Sequence, residues 1–165
     1  MSLERNAPGF IGVLDAHKGI VYKVANAYCR DDANREDLIQ EIILQLWLAF
    51  PSYDETYRLS TWIYRIALNV SISFYRKEFR RRGINQELPP QILILPEERG
   101  GETQARLDRL YAFIRDLKEL DRAIIILYLE ENSHREIAGI LGLTPTNIAT
   151  RIMRIKQKLK KDFQQ

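Results

Sequence analysis

Two rows of side chains are superimposed on the segment from Arg58 to Arg82, and together they leave it one way to fold. Ile63, Ile66, Ala67, Val70 and Phe74 recur every three or four residues. That spacing gathers side chains on one face of an α-helix and would scatter them over both faces of a strand. On a neighbouring face the same repeat carries Trp62, Arg65, Asn69, Ser73, Arg76 and Arg80. A face that only had to dissolve has no need of a tryptophan. A face that meets nucleic acid has a use for all of these types: arginine for phosphate, an amide for a base edge, an indole for an unstacked base.

The rest of the first half is also helical in pattern. Apolar residues fall at helical spacing from Phe10 to Cys29, and Asp31, Asp32, Ala33 and Asn34 interrupt them and supply a cap for the next helix. That second helix runs from Arg35 to Phe50 and is stopped by Pro51. A polar connection leads to Ser60, placed as the cap of the striped helix. Residues 83–102 change character, with Pro89, Pro90, Pro96, Gly100 and Gly101 around one short apolar patch, Ile92 to Leu95. This is the composition of a linker. Helical periodicity resumes at Thr103, and no alternating strand pattern occurs anywhere. The expected architecture is all-α: two small helical domains, residues 1–82 and 103–165, on a flexible tether of residues 83–102.

The segment from His134 to Lys161 has the spacing of a helix-turn-helix. Ala138 is small where two helices must cross, Gly142 permits the turn, Pro145 suits a first helical position, and Ile148 plugs the second helix onto the first. Ile148, Ile152, Ile155 and Leu159 form the buried stripe. Thr146, Thr150, Met153, Arg154 and Gln157 point away from it, where a recognition helix presents side chains to the major groove. Lys156, Lys158, Lys160 and Lys161 suit phosphate. Arg151, at the edge of the buried stripe, is placed to brace the motif or grip a phosphate.

The helix before Pro51 is apolar on two sides. Leu38, Ile39, Ile42, Ile43, Leu46, Ala49 and Phe50 make a broad core face, whereas Leu44, Trp47 and Leu48 lie opposite, near Asp37, Gln40 and Glu41. Such a helix is either buried all round or shares one face with a partner. The acidic and amide groups among the second set favour a protein partner.

Charge is distributed to match. The net +3 hides seven basic residues against one acidic from Arg58 to Arg82, and seven against two from Ser133 to Gln165. The chain before Pro51 is acidic, with five basic residues and seven acidic. Two separated basic blocks predict two contacts with a polyanion. Cys29 is the sole cysteine and the two histidines, His17 and His134, are far apart, which excludes a disulfide within the chain and a cysteine-based zinc site. No nucleophile, metal set or phosphate-cradling loop stands out, so no enzyme and no cofactor is expected. Without a signal-peptide pattern or a bilayer-long apolar run, a cytoplasmic protein with no membrane insertion is expected.

In their order, the runs DLIQEIILQLW and STWIYRIALNVSISFYRK, a linker and the helix-turn-helix resemble a sigma factor of the sigma-70 family. The likeness is to its compact extracytoplasmic-function (ECF) group, which keeps only regions 2 and 4, and it runs from about Phe10 to Lys161. The resemblance implies binding to core RNA polymerase, placement at particular promoters and help in opening the DNA. By position, Asp37, Gln40 and Glu41, with Leu44 and Trp47 beside them, match the polymerase-binding motif. Ser60, Thr61 and Trp62 match the segment that engages the separating −10 element. Asn69, Ser73 and Arg76 match helix positions at or next to −10 base recognition, and Arg65 and Arg80 share their stripe. Thr150, Met153 and Arg154 match positions facing the −35 element, with Thr146, Arg151, Lys156 and Lys158 on the same helix. Two departures stand out: Ser73 where the family usually has aspartate, and Ala149 where a basic residue is common. The resemblance also implies an anti-sigma factor as a partner. The rival readings are a stand-alone helix-turn-helix regulator that binds duplex DNA without polymerase, and an interaction protein whose basic blocks meet acidic proteins.

Overall fold

A computed structural model of the chain describes residues 7–81 and 101–164. Most of the expected linker therefore lies outside the described residues. Among them the order is α1 (Ala7–Tyr28), α2 (Asp32–Ala49), a 3-10 turn (Phe50–Ser52), α3 (Leu59–Arg81), α4 (Glu102–Asp116), α5 (Glu119–Leu129), α6 (His134–Leu141) and α7 (Pro145–Phe163). No strand occurs among the described residues.

Local chemistry sets most of these boundaries. Asp31 caps α2, its carboxylate accepting from the Asn34 backbone N–H at 3.1 Å. The α-helix stops at Ala49, and Pro51 sits inside the adjoining 3-10 turn. Helix α3 starts one residue before the expected cap, with the Trp62 N–H bonded to the Arg58 carbonyl at 3.1 Å, so Ser60 lies in the first turn. Helix α4 starts at Glu102, one residue inside the segment assigned to the linker.

The first group packs α1, α2 and α3 against one another. Val21, Val24 and Ala25 meet Leu38, Ile42 and Leu46 from α2 and Ile63, Ala67 and Leu68 from α3, all buried. The second group buries Ile124 and Leu127 of α5 against Ile137 and Ala138 of α6 and Ile148, Ile152 and Ile155 of α7. Each valine, leucine or isoleucine among them contributes roughly 1.5–3 kcal/mol by leaving water. The two groups also touch: α4 and α5 pack on α1, and α5 and α6 on α3.

Candidate nucleic-acid and polymerase interface

Helix α3 turns its mixed stripe outward. Arg65, Asn69, Ser73, Arg76 and Arg80 are all exposed, while Ile63 and Ala67 on the neighbouring face are buried. Ile66, Val70 and Phe74 are half-buried. The Trp62 indole is half-buried, propped against Tyr53 (ring centroids 5.1 Å apart) and Phe50 (6.4 Å) of the turn before it. Ser60 and Thr61 are half-buried beside it. Towards the end of α3, Ser73, Arg76, Lys77, Arg80 and Arg81 line an open groove of about 420 Å³. Lys77 and Arg81 were not singled out from the sequence, although each continues the row of Ser73 at four-residue spacing. Arg76 is already engaged: its Nε lies 3.1 Å from Glu119 Oε1 on α5. Desolvation would raise the Glu119 carboxyl pKa, but a backbone hydrogen bond, the Arg76 hydrogen bond and the charges of Arg76 and Arg122 outweigh it. The carboxyl is held below its ordinary value.

The helix-turn-helix is built from successive caps. Ser133 and Glu136 form a reciprocal capping box on α6. Gly142 ends that helix at φ 71°, a left-handed conformation, and the Leu143 N–H returns to the Ala138 carbonyl at 3.0 Å. Thr144 caps α7 by accepting from the Asn147 N–H, and Pro145 stands in its first turn. With Ile148, Ile152 and Ile155 buried, Thr146, Met153, Arg154, Lys156, Gln157 and Lys158 are exposed. Thr150 is half-buried, its hydroxyl donating to the Thr146 carbonyl at 3.0 Å. Lys156 lies 4.6 Å from the Tyr128 ring centre. Of the two roles open to Arg151, the side chain takes the brace: it bonds Asp121 of α5 and Asn147, both at 2.8 Å.

The second face of α2 is open only in part. Asp37, Gln40, Leu44 and Leu48 are exposed along one line, and Glu41, half-buried, accepts from Gln45 at 3.0 Å. Trp47 does not stand with them. It is half-buried edge-on against Phe10 of α1, with centroids 5.2 Å apart. Three residues past Leu44 is a rotation of about −60°, enough to carry the indole under α1. Leu48, one turn beyond Leu44, belongs to the open line instead.

Cys29 is buried, and burial, then the charge of Asp31, pushes its thiol up to about 11, so it stays protonated at neutral pH. Among the described residues no group of three metal-ligating side chains converges, and no helix is long and apolar enough to cross a membrane.

These features define a class: a protein helical throughout its described residues, with two outward-facing polar and basic surfaces, one on α3 and one on a helix-turn-helix, and a mixed apolar and acidic face on α2. Residues 13–81 match the family described as Sigma-70 region 2, and residues 107–159 match Sigma-70, region 4. The ECF RNA polymerase sigma factor SigW of Bacillus subtilis (strain 168) is 27% identical, over 93% of this chain and 88% of its own length. SigM of the same organism, also an ECF sigma factor, is 23% identical, over 85% of this chain and 86% of its own. Two solved structures share the fold. CnrH, in complex with the cytosolic domain of CnrY, superposes with a TM-score of 0.67 at 21% identity, over 96% of this chain and 90% of that one. The sigma factor RpoE, in complex with the anti-sigma factor NepR from Bartonella quintana, gives 0.71 at 22% identity, over 94% of each chain. The chain belongs to the sigma-70 family, as a member of its extracytoplasmic-function group. It is a sigma factor that directs RNA polymerase to promoters, and with both halves matched the stand-alone regulator is left without support.

Proposed function

We propose a division of labour among the three surfaces. The open line of α2, Asp37, Gln40, Glu41 and Leu44 with Leu48, docks on core polymerase, and Trp47 stiffens that helix from beneath. The α3 stripe captures the separating −10 element: Ser60, Thr61 and Trp62 at the start of the helix, Arg65, Asn69 and Ser73 along it, Arg76 and Arg80 at its end. Helix α7 reads the −35 element through Thr146, Thr150, Met153 and Arg154, with Lys156 and Lys158 on phosphates and Arg151 holding the helix in place.

The mechanism uses binding energy alone and no chemistry of its own. Unstacking a base step costs on the order of a few kcal/mol, which captured bases must offset. Stacking on an aromatic supplies roughly 1–3 kcal/mol per base. An indole already fixed by Tyr53 and Phe50 loses little freedom in doing so. The protein acts in the cytoplasm with its polymerase. As CnrH and RpoE are bound by CnrY and NepR, this chain is restrained by an anti-sigma factor until a signal arrives. The observation that carries the reading is the outward alignment of Arg65, Asn69, Ser73, Arg76 and Arg80 beside a propped Trp62.

Transcription by bacterial core polymerase over a library of randomised promoters, with and without the protein, tests it. Start sites that appear only with the protein are expected, and they define both elements together. Absence of such sites together with absence of binding to core polymerase overturns the proposal.

A further inference from the structure

One row on the first half of α7 is short of hydrogen-bonding groups. Ala149 is half-buried and carries only a methyl. Met153, one turn further on, is 54% exposed, and its thioether is only a weak acceptor. Thr150, beside Ala149, gives its hydroxyl hydrogen to the Thr146 carbonyl at 3.0 Å. A depression of about 370 Å³ runs along this row. His134 at the start of α6 lines it on one side, Ala149, Met153 and Lys156 of α7 on the other, and Gln157 and Lys160 close its far end. A lysine or arginine at 149 would lie along that depression; alanine leaves it open. Two of the polar side chains around it lean on Tyr128: the Lys156 ammonium stands 4.6 Å from that ring centre, and the His134 ring centre 6.4 Å from it.

Base pairs present donors, acceptors and one apolar group to the major groove. Guanine offers two acceptors, adenine an acceptor and a donor, cytosine a donor; thymine alone adds a methyl to its acceptor. A surface with neither donors nor strong acceptors gains nothing from the first three, and gains from burying the methyl of the fourth. We infer that Ala149 and Met153 form an apolar seat for the 5-methyl group of a thymine in the −35 element, so that this chain reads one A·T pair there through its methyl. The seat deepens the −35 role proposed above for α7 and rests on it. Arg154, exposed beside Met153, has the donors that the seat lacks, so the two residues read different features of the groove.

Removing the methyl and nothing else tests the seat. In a promoter recovered with this protein from the randomised library, each thymine of the −35 element, on either strand, is replaced in turn by deoxyuridine, which pairs with adenine in the same way. Affinity of the polymerase holoenzyme carrying the full chain is then measured by competition against the unmodified promoter. Replacement at one thymine, or at two adjacent ones, is expected to weaken binding roughly 3- to 10-fold, and replacement elsewhere in the element to have little effect. Ala149→Lys is expected to bring the thymine-to-uracil ratio at that position close to one, whatever the added charge does to overall affinity. Met153→Ala is expected to lower the same ratio. An element in which every thymine is replaceable without loss overturns the seat, as does a wild-type ratio in Ala149→Lys or in Met153→Ala. Holoenzyme binding that ignores replacement of the whole −35 element overturns the −35 role itself, a result distinct from tolerance of uracil in an element that still matters.

Discussion

Two glycines three residues apart bracket the end of α6, and alanine at each is expected to act in opposite directions. A Cβ built at Gly139 or at Gly142 meets nothing within 4 Å, so sterics with neighbours decide neither case. Backbone conformation decides both. Gly142 holds φ at 71°, where an L-residue pays about 1–2 kcal/mol. Alanine recovers about 0.4–1 kcal/mol by restricting the unfolded chain. The balance is a loss of about 0.5–1 kcal/mol for Gly142→Ala. Gly139 lies within α6, with no left-handed strain. There alanine gains roughly 0.5–1 kcal/mol. The pair should therefore differ by about 1–2 kcal/mol, which for a chain of this size is a separation of roughly 3–6 °C in melting temperature. Urea unfolding of the full chain followed by far-ultraviolet ellipticity measures the free energies, and a thermal scan gives the second estimate. Gly142→Asn should fall between wild type and Gly142→Ala, because asparagine enters the left-handed region more readily. Equal shifts of the same sign at the two positions would refute the reasoning, since nothing but backbone conformation distinguishes them here.

Other surfaces give sharper functional readouts. Arg154→Ala should weaken binding to the −35 element while leaving the helical signal and melting temperature unchanged; unchanged promoter affinity in the folded variant removes Arg154 from the reading set. Asp37→Ala combined with Gln40→Ala should lose retention on core polymerase with helicity intact, and wild-type retention would sink that assignment. Ile148→Ala, at a side chain with 0% exposure, should cost about 2–5 kcal/mol in the same urea titration. The contact between the two helical groups should weaken in acid: the Glu119 pKa is depressed from its ordinary 4.5, so the contribution of its pair with Arg76 is complete above that value and is lost as pH falls through the lower, folded-state value. Small-angle scattering as a function of pH should show the resulting expansion, and Glu119→Gln should remove the part of it that Glu119 contributes.

The sequence by itself determined the parts governed by local rules. Helical period fixed which residues share a face, so the exposed row of Arg65, Asn69, Ser73, Arg76 and Arg80 was legible, as was the buried row of Ile148, Ile152 and Ile155. Turn chemistry placed Gly142 and Pro145, and the order of motifs carried the family. The capping box of Ser133 and Glu136 is a local signal of the same kind, readable from three-residue spacing, and it went unread. Only the tertiary structure decided which faces are covered and by what. Trp47 and Leu48 are adjacent and both apolar, yet Phe10 takes one and leaves the other open. Ser60, Thr61 and Trp62 share a first turn whose depth depends on Tyr53 and Phe50 arriving from the preceding segment. Arg151 at the edge of a buried stripe and Arg76 on an exposed one both read as free cations until Asp121 and Glu119 reach them from 30 and 43 positions away. Arg122, a cation beginning the buried run of α5, finds its tyrosines on two other helices. A periodic pattern specifies a direction around one helix axis. The partner standing in that direction is fixed by how the helices pack, and no local repeat encodes it.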